Sequence, residues 1–420
     1  MLDIISKIWK NKIFVVFVFL ILITFPSVFY EQSDKDKTLV TSSIGIDKKG
    51  DKLNVSVLAV IPKDGSDVSS NLELFESEGD TISEALDGIS LDIGKKIGLA
   101  HCDCIIFSEE LMQDNLTLIL DYFIRTANLS TNPTLIATPN SSKELLEAVK
   151  NSNNVLDLSL KSIISSQEYQ SVINNVTLDR FYRAYLSPNS TFTIPIIETK
   201  KPNDSNEKTG ASSGSSNEPA SDSGGGSTNS SAGNSGQLKI SNKNKIAVIR
   251  DGKYIGTLSE PEMFIYSLLS KPSEYQKFTL ENISDEHFVN SKVILQEADK
   301  FIIPKCTFVD GKPVMEYNIW LSVMIDEVSS TINHSFSSLN GIDDYLTETV
   351  EREFYKTLNE KLEITNNLMK EKKYDIMNMH AKYNAYKYQK FKNYISTLED
   401  PTEYISEMSI KINLKLNYVI

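Results

Sequence analysis

The sequence predicts an α+β fold: three mixed α/β domains, with antiparallel or mixed sheets flanked by helices, after an N-terminal membrane anchor. A chain of 420 residues is too long for one small core. Its first thirty residues contain one long apolar run, and most of the remainder alternates between strand-like and helix-like patterns. Alternation of this kind favours layered sheets covered by helices.

Composition excludes several classes of protein. With 40% hydrophobic and 24% charged residues, the chain is neither fully disordered nor a multi-span membrane protein. The net charge of −13 argues against nucleic acid as a partner, because proteins that bind polyanions are usually basic. Three Cys and four His exclude a disulfide-stapled scaffold and a Cys/His-rich zinc module.

The N-terminal segment predicts a location outside the cytoplasm. Residues 1–12 contain Lys7, Lys10 and Lys12 and are predicted to remain cytoplasmic. Residues 13–30 are a transmembrane anchor or a signal-like segment, near the lower limit of the roughly 17–25 residues that span a bilayer. No small-residue cleavage site directly follows the run, which favours an uncleaved anchor over a removed signal peptide.

A polar tract divides the remaining chain. Residues 201–237 are rich in Ser and Gly and are predicted to be a disordered linker, because they cannot bury enough apolar surface to offset the entropy of ordering. The predicted domains are an N-terminal domain at 38–200, a middle hairpin-helix domain at 238–310 and a C-terminal α+β domain at 311–420.

The N-terminal domain reads as short strands interleaved with helices. Strands are predicted at Leu39–Asp47, Lys52–Ile61, Ile97–Phe107, Thr134–Thr138 and Thr191–Glu198. Helices are predicted after the capping box of Thr81 and Glu84, at Leu111–Ala127, from Ser141 to Val149, and over most of Asp157–Leu186. Pro195 suggests that the last strand lies at an edge, since proline cannot donate to a sheet ladder.

The second half begins with a hairpin and a helix. Lys245–Leu258 is a predicted hairpin with its turn at Asp251-Gly252, and Ser259 with Glu262 forms a capping box for the next helix. Further strands are predicted at Phe278–Leu280, Ser291–Leu295, Phe301–Val309, Val314–Val328 and Met408–Val419. A long helix is predicted to begin near Ile342, and a further helical stretch covers Asp375–Leu398.

The one cluster that resembles a metal site is His101-Cys102-Asp103-Cys104. In a strand, Cys102 and Cys104 would share one face and His101 and Asp103 the other, so the four ligands would be split. The spacing is not that of a zinc ribbon. We therefore interpret Cys102 and Cys104 as buried structural thiols, with metal binding as the alternative.

Catalytic motifs are missing from the sequence. It contains no phosphate-binding glycine loop, no nucleophile elbow and no HExxH motif. Acidic side chains near the start of the long helix are predicted to form a solvent-exposed face of that helix. They are Asp343, Asp344, Glu348, Glu351 and Glu353. Lys370–Lys392 is basic and tyrosine-rich, and reads as a solvated helix or as a surface for anionic lipid or a partner. No catalytic, cofactor-binding or metal-ligating residue and no cofactor is predicted.

Several segments in order resemble the Ger(x)C family, the C subunits of bacterial spore germinant receptors. The first is Ser43–Asp47 (SIGID), and the second is Glu76–Glu110, where Gly79, Thr81, Ala85, His101 and Glu110 occupy the family's positions. Asp121–Arg125 is similar to the family segment that follows. The hairpin and helix at 247–269, the long terminal helix, the Asp375-Ile376 break and the closing strand complete the likeness.

The resemblance implies a three-domain lipoprotein on the outer face of the inner spore membrane. Its implied partners are two integral membrane subunits, A and B, with which it would respond to small nutrient germinants. His101 is treated as structural. Family members carry a lipid-modified Cys just after the apolar run, whereas Cys102 is the first Cys here. The apolar run itself is therefore expected to anchor the protein.

Two other functions remain as alternatives. One is an extracytoplasmic, membrane-anchored module that binds a small molecule or a metal. The other is an envelope hydrolase, which would require a nucleophile–base pair such as His101 with Cys306.

Overall fold

The structure, a computed structural model, describes most of the chain from residue 37 onwards. The described residues are 37–62, 70–126, 129, 132–151, 160, 176–187, 190–200, 239–269, 276–283, 290–329 and 342–419. The predicted anchor at 13–30 and the predicted linker at 201–237 lie outside these ranges, and so do residues 157–159 and 161–175 of the predicted helical region at 157–186. Among the described helices, none combines the length and apolar character needed to cross a membrane.

The described strands belong to two mixed sheets. Strands of the first sheet are β1 (Thr38–Lys49), β2 (Lys52–Pro62), β3 (Ser70–Gly79), β4 (Lys96–Gly98), β5 (Cys104–Ser108), β6 (Thr134–Thr138), β7 (Thr191–Lys200), β8 (Lys239–Arg250) and β9 (Lys253–Thr257). The second sheet contains β10 (Lys277–Ile283), β11 (Ser291–Val309), β12 (Lys312–Ser329) and β13 (Ser409–Tyr418). Two mixed sheets flanked by helices confirm the mixed α/β class, while the division into three domains stays a prediction.

Helices connect and cover both sheets. They are α1 (Ile82–Ile93), α2 (Glu109–Met112), α3 (Leu116–Arg125), α4 (Ser142–Asn151), α5 (Leu178–Tyr185), α6 (Glu260–Leu268), α7 (Ile342–Lys372), α8 (Met379–Tyr386), α9 (Tyr388–Ile395) and α10 (Tyr404–Glu407). One 3₁₀ turn at Pro401–Glu403 precedes α10.

The first sheet has the order β3-β2-β1-β5-β6-β7-β8-β9, with β4 beside β1. Strands β1, β5, β6 and β7 are parallel, and the outer strands on both sides pair antiparallel. One face packs on α1, α3 and α5, and the opposite face packs on α4. Alternate residues of each central strand therefore enter two different cores.

Helix α4 packs against Ser43–Asp47, the SIGID segment of β1. A Cβ atom on Gly45 would lie 2.5 Å from Ser142 Oγ, so only glycine lets the helix approach β1 this closely. Two residues later, the buried Asp47 carboxylate accepts hydrogen bonds from the backbone N–H groups of Ser142 (2.7 Å) and Lys143 (3.2 Å) and from the Ser141 hydroxyl (2.7 Å). Asp47 thus caps a helix almost a hundred residues away.

Strand β8 takes part in both hydrophobic cores. Its residues Ala247 and Ile249 pack into the core beneath the first sheet, while Ile246 and Val248 pack into the core of the second. The predicted turn at Asp251-Gly252 joins β8 to β9, and both turn residues have positive φ angles, of 52° and 77°. The two sheets are therefore joined by packing as well as by the chain.

The strands that flank the predicted linker pair with each other. Strand β7 ends with Lys200 opposite Lys239, the first residue of β8. The Ser/Gly-rich tract accordingly connects two neighbouring antiparallel strands of one sheet. Pro195 pairs with Ile246 within this ladder, and β7 also contacts β6 through the pair of Ala137 and Ile196. The prediction of an edge strand was therefore wrong, although the short β6 ladder explains why proline is tolerated.

Several other elements differ from the sequence prediction. The predicted strand at 97–107 is divided into β4 and β5 by a loop, and the predicted helix at 111–127 is divided into α2 and α3. Strand β3 was not predicted, because three exposed glutamates, Glu73, Glu76 and Glu78, interrupt its apolar pattern at the sheet edge. In α1 the Thr81 hydroxyl caps Glu84 N–H as predicted, but the Glu84 carboxylate accepts from Asp80 N–H, one residue earlier than in a standard capping box.

Helix α7 closes the open edge of the second sheet. Strand β13 pairs with β12 on one side only, and α7 runs beside its other edge. The Asn366 amide donates to Ile410 O (3.1 Å) and accepts from Ile410 N (2.9 Å), as a neighbouring strand would. The Tyr355 hydroxyl donates to Leu414 O (2.9 Å). Side chains of a helix thereby satisfy backbone groups that would otherwise offer a pairing edge.

Replacing Asn366 with alanine is expected to lower the free energy of unfolding by about 2 kcal/mol, because two hydrogen bonds to one strand residue are lost. Urea unfolding measures this loss, and hydrogen exchange at Ile410 should accelerate. Asn359→Ala on the exposed side of α7 is the matched control, with an expected change below about 0.5 kcal/mol. Equal effects of the two substitutions would contradict this role for Asn366.

Candidate functional site

A cleft lies between the two sheets. One wall is formed by α5 and β7 of the first sheet, and the other by α6, α8 and the connection at 375–378. Its volume is about 590 Å³, which is within the range of roughly 300–1,000 Å³ that is usual for small-molecule sites.

Strand β7 brings hydroxyl groups to the cleft. Thr191 and Thr193 alternate with Phe192 along its wall. Thr193 Oγ1 lies 3.0 Å from the Tyr266 hydroxyl of α6, and Thr191 Oγ1 accepts a hydrogen bond from Asp375 N (3.3 Å). These two contacts join the opposite walls of the cleft.

The Asp375 carboxylate holds the connection between α7 and α8. It accepts hydrogen bonds from Met379 N (2.8 Å), His380 N (2.8 Å) and the Tyr404 hydroxyl (2.8 Å). Burial, and then the neighbouring Asp375 carboxylate, raises the pKa of Tyr404 well above its ordinary value. Tyr404 therefore remains a hydrogen-bond donor to Asp375 at physiological pH.

A second buried carboxylate lies next to this connection. Glu262 accepts from the backbone N–H (2.8 Å) and hydroxyl (2.6 Å) of Ser259, which completes the predicted capping box. Its other oxygen accepts a hydrogen bond from the hydroxyl of Tyr374, the residue before Asp375. Glu262 therefore links the start of α6 to the beginning of the connection between α7 and α8.

Replacing Tyr374 with phenylalanine is expected to lower the free energy of unfolding by about 2 kcal/mol, because one oxygen of the buried Glu262 carboxylate loses its donor. Chemical denaturation at fixed pH measures the change. The control is Tyr388→Phe on the exposed surface, which should change stability by less than about 0.5 kcal/mol. No difference between the two variants would mean that the Glu262–Tyr374 bond adds no stability.

Two cationic side chains line the cleft from opposite walls. Arg180 lies on α5, and Lys382 lies on α8. Lys382 Nζ contacts Met377 O at 2.6 Å and the Tyr317 hydroxyl at 3.0 Å. Burial raises the pKa of Tyr317, although the nearby Lys382 charge opposes the rise. Tyr317 thus stays neutral and supports the ammonium group.

His380 packs next to the cleft among aromatic rings. Its ring centroid lies 5.5 Å from that of Phe391 and 5.6 Å from that of Tyr404. Burial lowers its pKa, with the Asp375 charge acting in the opposite direction. The half-buried imidazole contacts the Asn384 amide. This environment is that of a packed histidine that supports α8.

The structure separates the members of the His101–Cys104 cluster. Strand β5 begins at Cys104, so the four residues do not form one strand. Cys102 packs into the core with α1 and α3, whereas Cys104 packs into the core with α4. The prediction that both thiols share one face was therefore wrong, while their burial is confirmed. Burial raises the pKa of Cys102 to about 12, so its thiol is protonated and unreactive.

The other candidate residues are also dispersed. His101 is exposed beside the first sheet, and Cys306 is buried in the core of the second, so the pair that a hydrolase would require is not formed. Within the described ranges, no three His, Cys, Asp or Glu side chains come together as metal ligands. Of the acidic residues at the start of α7, Glu348 is exposed, and Glu351 and Glu353 are half-buried.

The basic stretch Lys370–Lys392 is only partly a solvated surface. Tyr374 and Tyr383 are buried in the second core, whereas Tyr386 and Tyr388 are exposed. Eight of its residues line the cleft, and Lys382 and Tyr386 are the Lys and Tyr among them. The sequence analysis had therefore singled out one wall of the cleft, through the abundance of Lys and Tyr in this stretch. No signal pointed to Arg180, Thr191 or Thr193, because the opposite wall comes from a distant part of the chain.

Two family models match the chain in consecutive order. The model described as a spore germination protein N-terminal domain matches residues 32–199. The model described as spore germination B3/GerAC like, C-terminal, matches residues 244–418. Together they cover most of the chain, and the two matched ranges end in β7 and begin in β8.

A solved structure is also similar. It is described as the crystal structure of the GerBC protein, and the alignment covers 90% of this chain and 97% of that chain. The two sequences are 15% identical, and the TM-score is 0.46. No curated protein matches the chain.

Proposed function

The chain belongs to the spore germination GerAC-like family, and from this membership we propose that it is a non-enzymatic, membrane-tethered subunit of a nutrient germinant receptor. The observation that carries the proposal is the pair of family matches at 32–199 and 244–418, which span both sheets. The lack of a recognisable catalytic motif in the sequence is consistent with a binding or structural role.

The proposed location is the outer face of the inner spore membrane. Residues 13–30 would hold the chain there, since the first Cys in the sequence is Cys102 and no lipid-modified Cys is available near the apolar run. The proposed partners are two integral membrane subunits, A and B, of the same receptor. Nucleic acid is not a proposed partner of this acidic chain.

Deleting the gene in the source organism tests the role in germination. Spores that lack the chain should respond more slowly to at least one nutrient, and the full-length chain supplied in trans should restore the response. Sporulation yield and heat resistance should be unchanged, which separates a germination defect from a general spore defect. Wild-type responses to every nutrient would count against the proposal.

Membrane fractionation tests the tether and the partners. The full chain should sediment with the inner spore membrane, and an affinity-tagged chain should co-purify with multi-span membrane proteins after detergent extraction. N-terminal sequencing of the purified chain should find residue 1 or 2 if the segment at 13–30 is uncleaved. Recovery in the soluble fraction without any membrane partner would contradict a membrane-bound receptor subunit.

A second candidate function is favoured by the cleft. An extracytoplasmic, membrane-anchored module that binds a small molecule would require a concave site of this size. This function and that of a receptor subunit are compatible.

A further inference from the structure

We propose that the cleft between α5–β7 and α6–α8 is a binding site for a small organic anion, with Arg180 and Lys382 as its charged contacts. This inference rests on the second candidate function, small-molecule binding in the cleft, and not on the receptor role, because binding is measured on the purified chain.

The charge of the cleft lining is opposite to that of the whole protein. The chain has a net charge of −13, yet the charged residues of the lining are Arg180, Lys382 and Asp375. The Asp375 carboxylate is committed to two backbone N–H groups at the start of α8 and to the Tyr404 hydroxyl. Two cationic side chains and one carboxylate give the lining a formal charge of +1, which favours an anionic ligand.

Lys382 is held in place for such a contact. Tyr317 lies beneath the ammonium, with its ring centroid 5.3 Å from Nζ, and the Met377 carbonyl accepts a hydrogen bond from it. An ammonium has three donors, and the contacts to Tyr317 and Met377 use two. A positioned cation loses little side-chain entropy when it binds a carboxylate or similar group.

The remaining lining favours a ligand with an apolar body. Phe192, Leu269, Ile376 and Met377 supply apolar surface, and the hydroxyls of Thr193 and Tyr266 supply polar contacts. A volume of about 590 Å³ is much larger than inorganic phosphate requires. The combination fits an organic carboxylate or a similar anion rather than an inorganic ion.

Binding at this position would connect the two sheets. Arg180 belongs to the helix that packs on the first sheet, whereas Lys382 belongs to the helices around the second. An anion that contacts both would add an electrostatic link to the direct contacts of Thr191 with Asp375 and Thr193 with Tyr266. Ligand occupancy should therefore restrict the motion of α5 and α8 relative to each other.

The test uses the full chain in detergent and two matched sets of probes. The carboxylates are benzoate, phenylacetate and hexanoate, and their primary amides have the same shapes without the charge. Calorimetry against a detergent-only blank should show saturable binding of at least one carboxylate, with the matching amide at least about tenfold weaker. Inorganic phosphate should compete at least about tenfold more weakly than that carboxylate.

Three variants identify the site. Arg180→Gln and Lys382→Gln should each weaken binding of that carboxylate by about fivefold or more. Arg183→Gln is the matched control, because Arg183 lies on the same helix, pairs with Asp179 at 2.9 Å and is not part of the cleft lining; its affinity should equal that of the unmodified chain. Circular dichroism melts establish that all three variants are folded.

Four results would overturn the inference. They are no saturable binding of any carboxylate, equal affinity for a carboxylate and its amide, competition by phosphate as strong as that of the carboxylate, and an equal loss with Arg183→Gln and Arg180→Gln. None of these results bears on the receptor role, which is measured in spores. A germination defect without carboxylate binding would keep the receptor proposal and reject the cleft site.

Discussion

Replacing Lys300 with methionine is expected to lower the free energy of unfolding by about 3–5 kcal/mol. Lys300 Nζ lies 2.9 Å from Glu297 Oε2, and neither side chain is exposed to solvent. Lys300 Nζ also donates to Gln276 Oε1 (2.9 Å) and Ser267 O (3.3 Å). Burial lowers the pKa of Lys300, while Glu297 opposes that shift. The substitution leaves Glu297 as a buried carboxylate without its cation, which is the costly outcome for such a pair.

Two further variants separate pairing from packing. The double variant Lys300→Met with Glu297→Gln removes both charges, so it should recover a large part of the loss. Lys277→Met breaks the solvent-exposed pair with Asp326 (2.6 Å) and should cost less than about 1 kcal/mol. Urea unfolding at constant pH measures all three. If Lys300→Met costs no more than Lys277→Met, burial does not increase the energetic importance of the Lys300–Glu297 pair.

Replacing Asp47 with alanine is expected to lower the free energy of unfolding by about 3 kcal/mol. The carboxylate accepts two hydrogen bonds from backbone N–H groups at the first turn of α4 and one from the Ser141 hydroxyl. Its negative charge also lies at the positive end of the helix dipole. Denaturant unfolding measures the loss, and hydrogen exchange should show faster opening at the start of α4.

Asp51→Ala is the matched control for the helix cap. Asp51 lies in the exposed turn between β1 and β2, so its replacement should change stability by less than about 0.5 kcal/mol. Asp47→Asn should lie between the two, since an amide keeps one acceptor oxygen but turns an NH₂ group towards N–H donors. An unchanged exchange rate in α4 of Asp47→Ala would show that the carboxylate does not hold this helix.

Local signals in the sequence predicted much of the fold. The turn at Asp251-Gly252, the capping box of Ser259 and Glu262 and the apolar line of α7 each depend on residues close together in sequence. Such patterns are decided by backbone geometry and amphipathicity, which a single sequence contains. These elements agree with the structure to within a few residues at their ends.

Features that depend on distant residues could not be predicted. The sequence alone does not reveal that Asp47 caps a helix at Ser142, that Tyr374 donates to Glu262, or that Arg180 and Lys382 line one cleft. Each arrangement exists only after the sheets are assembled. The wrong prediction that Cys102 and Cys104 share a strand face has a related cause. Cys102 lies in the loop between β4 and β5, and an apolar run does not show where a strand is interrupted.

The two faces of β8 have a consequence for how the protein unfolds. Ile246 and Val248 are shielded by the second core, and Ala247 and Ile249 by the first. If the second sheet melted alone, one face of β8 would be exposed to water, and if the first sheet melted alone, the second core would lose the cover of Ile246 and Val248. The two sheets should therefore unfold as one cooperative unit, with a single transition in scanning calorimetry and equal calorimetric and van't Hoff enthalpies. Two separate transitions would mean that the shared strand does not couple the two cores.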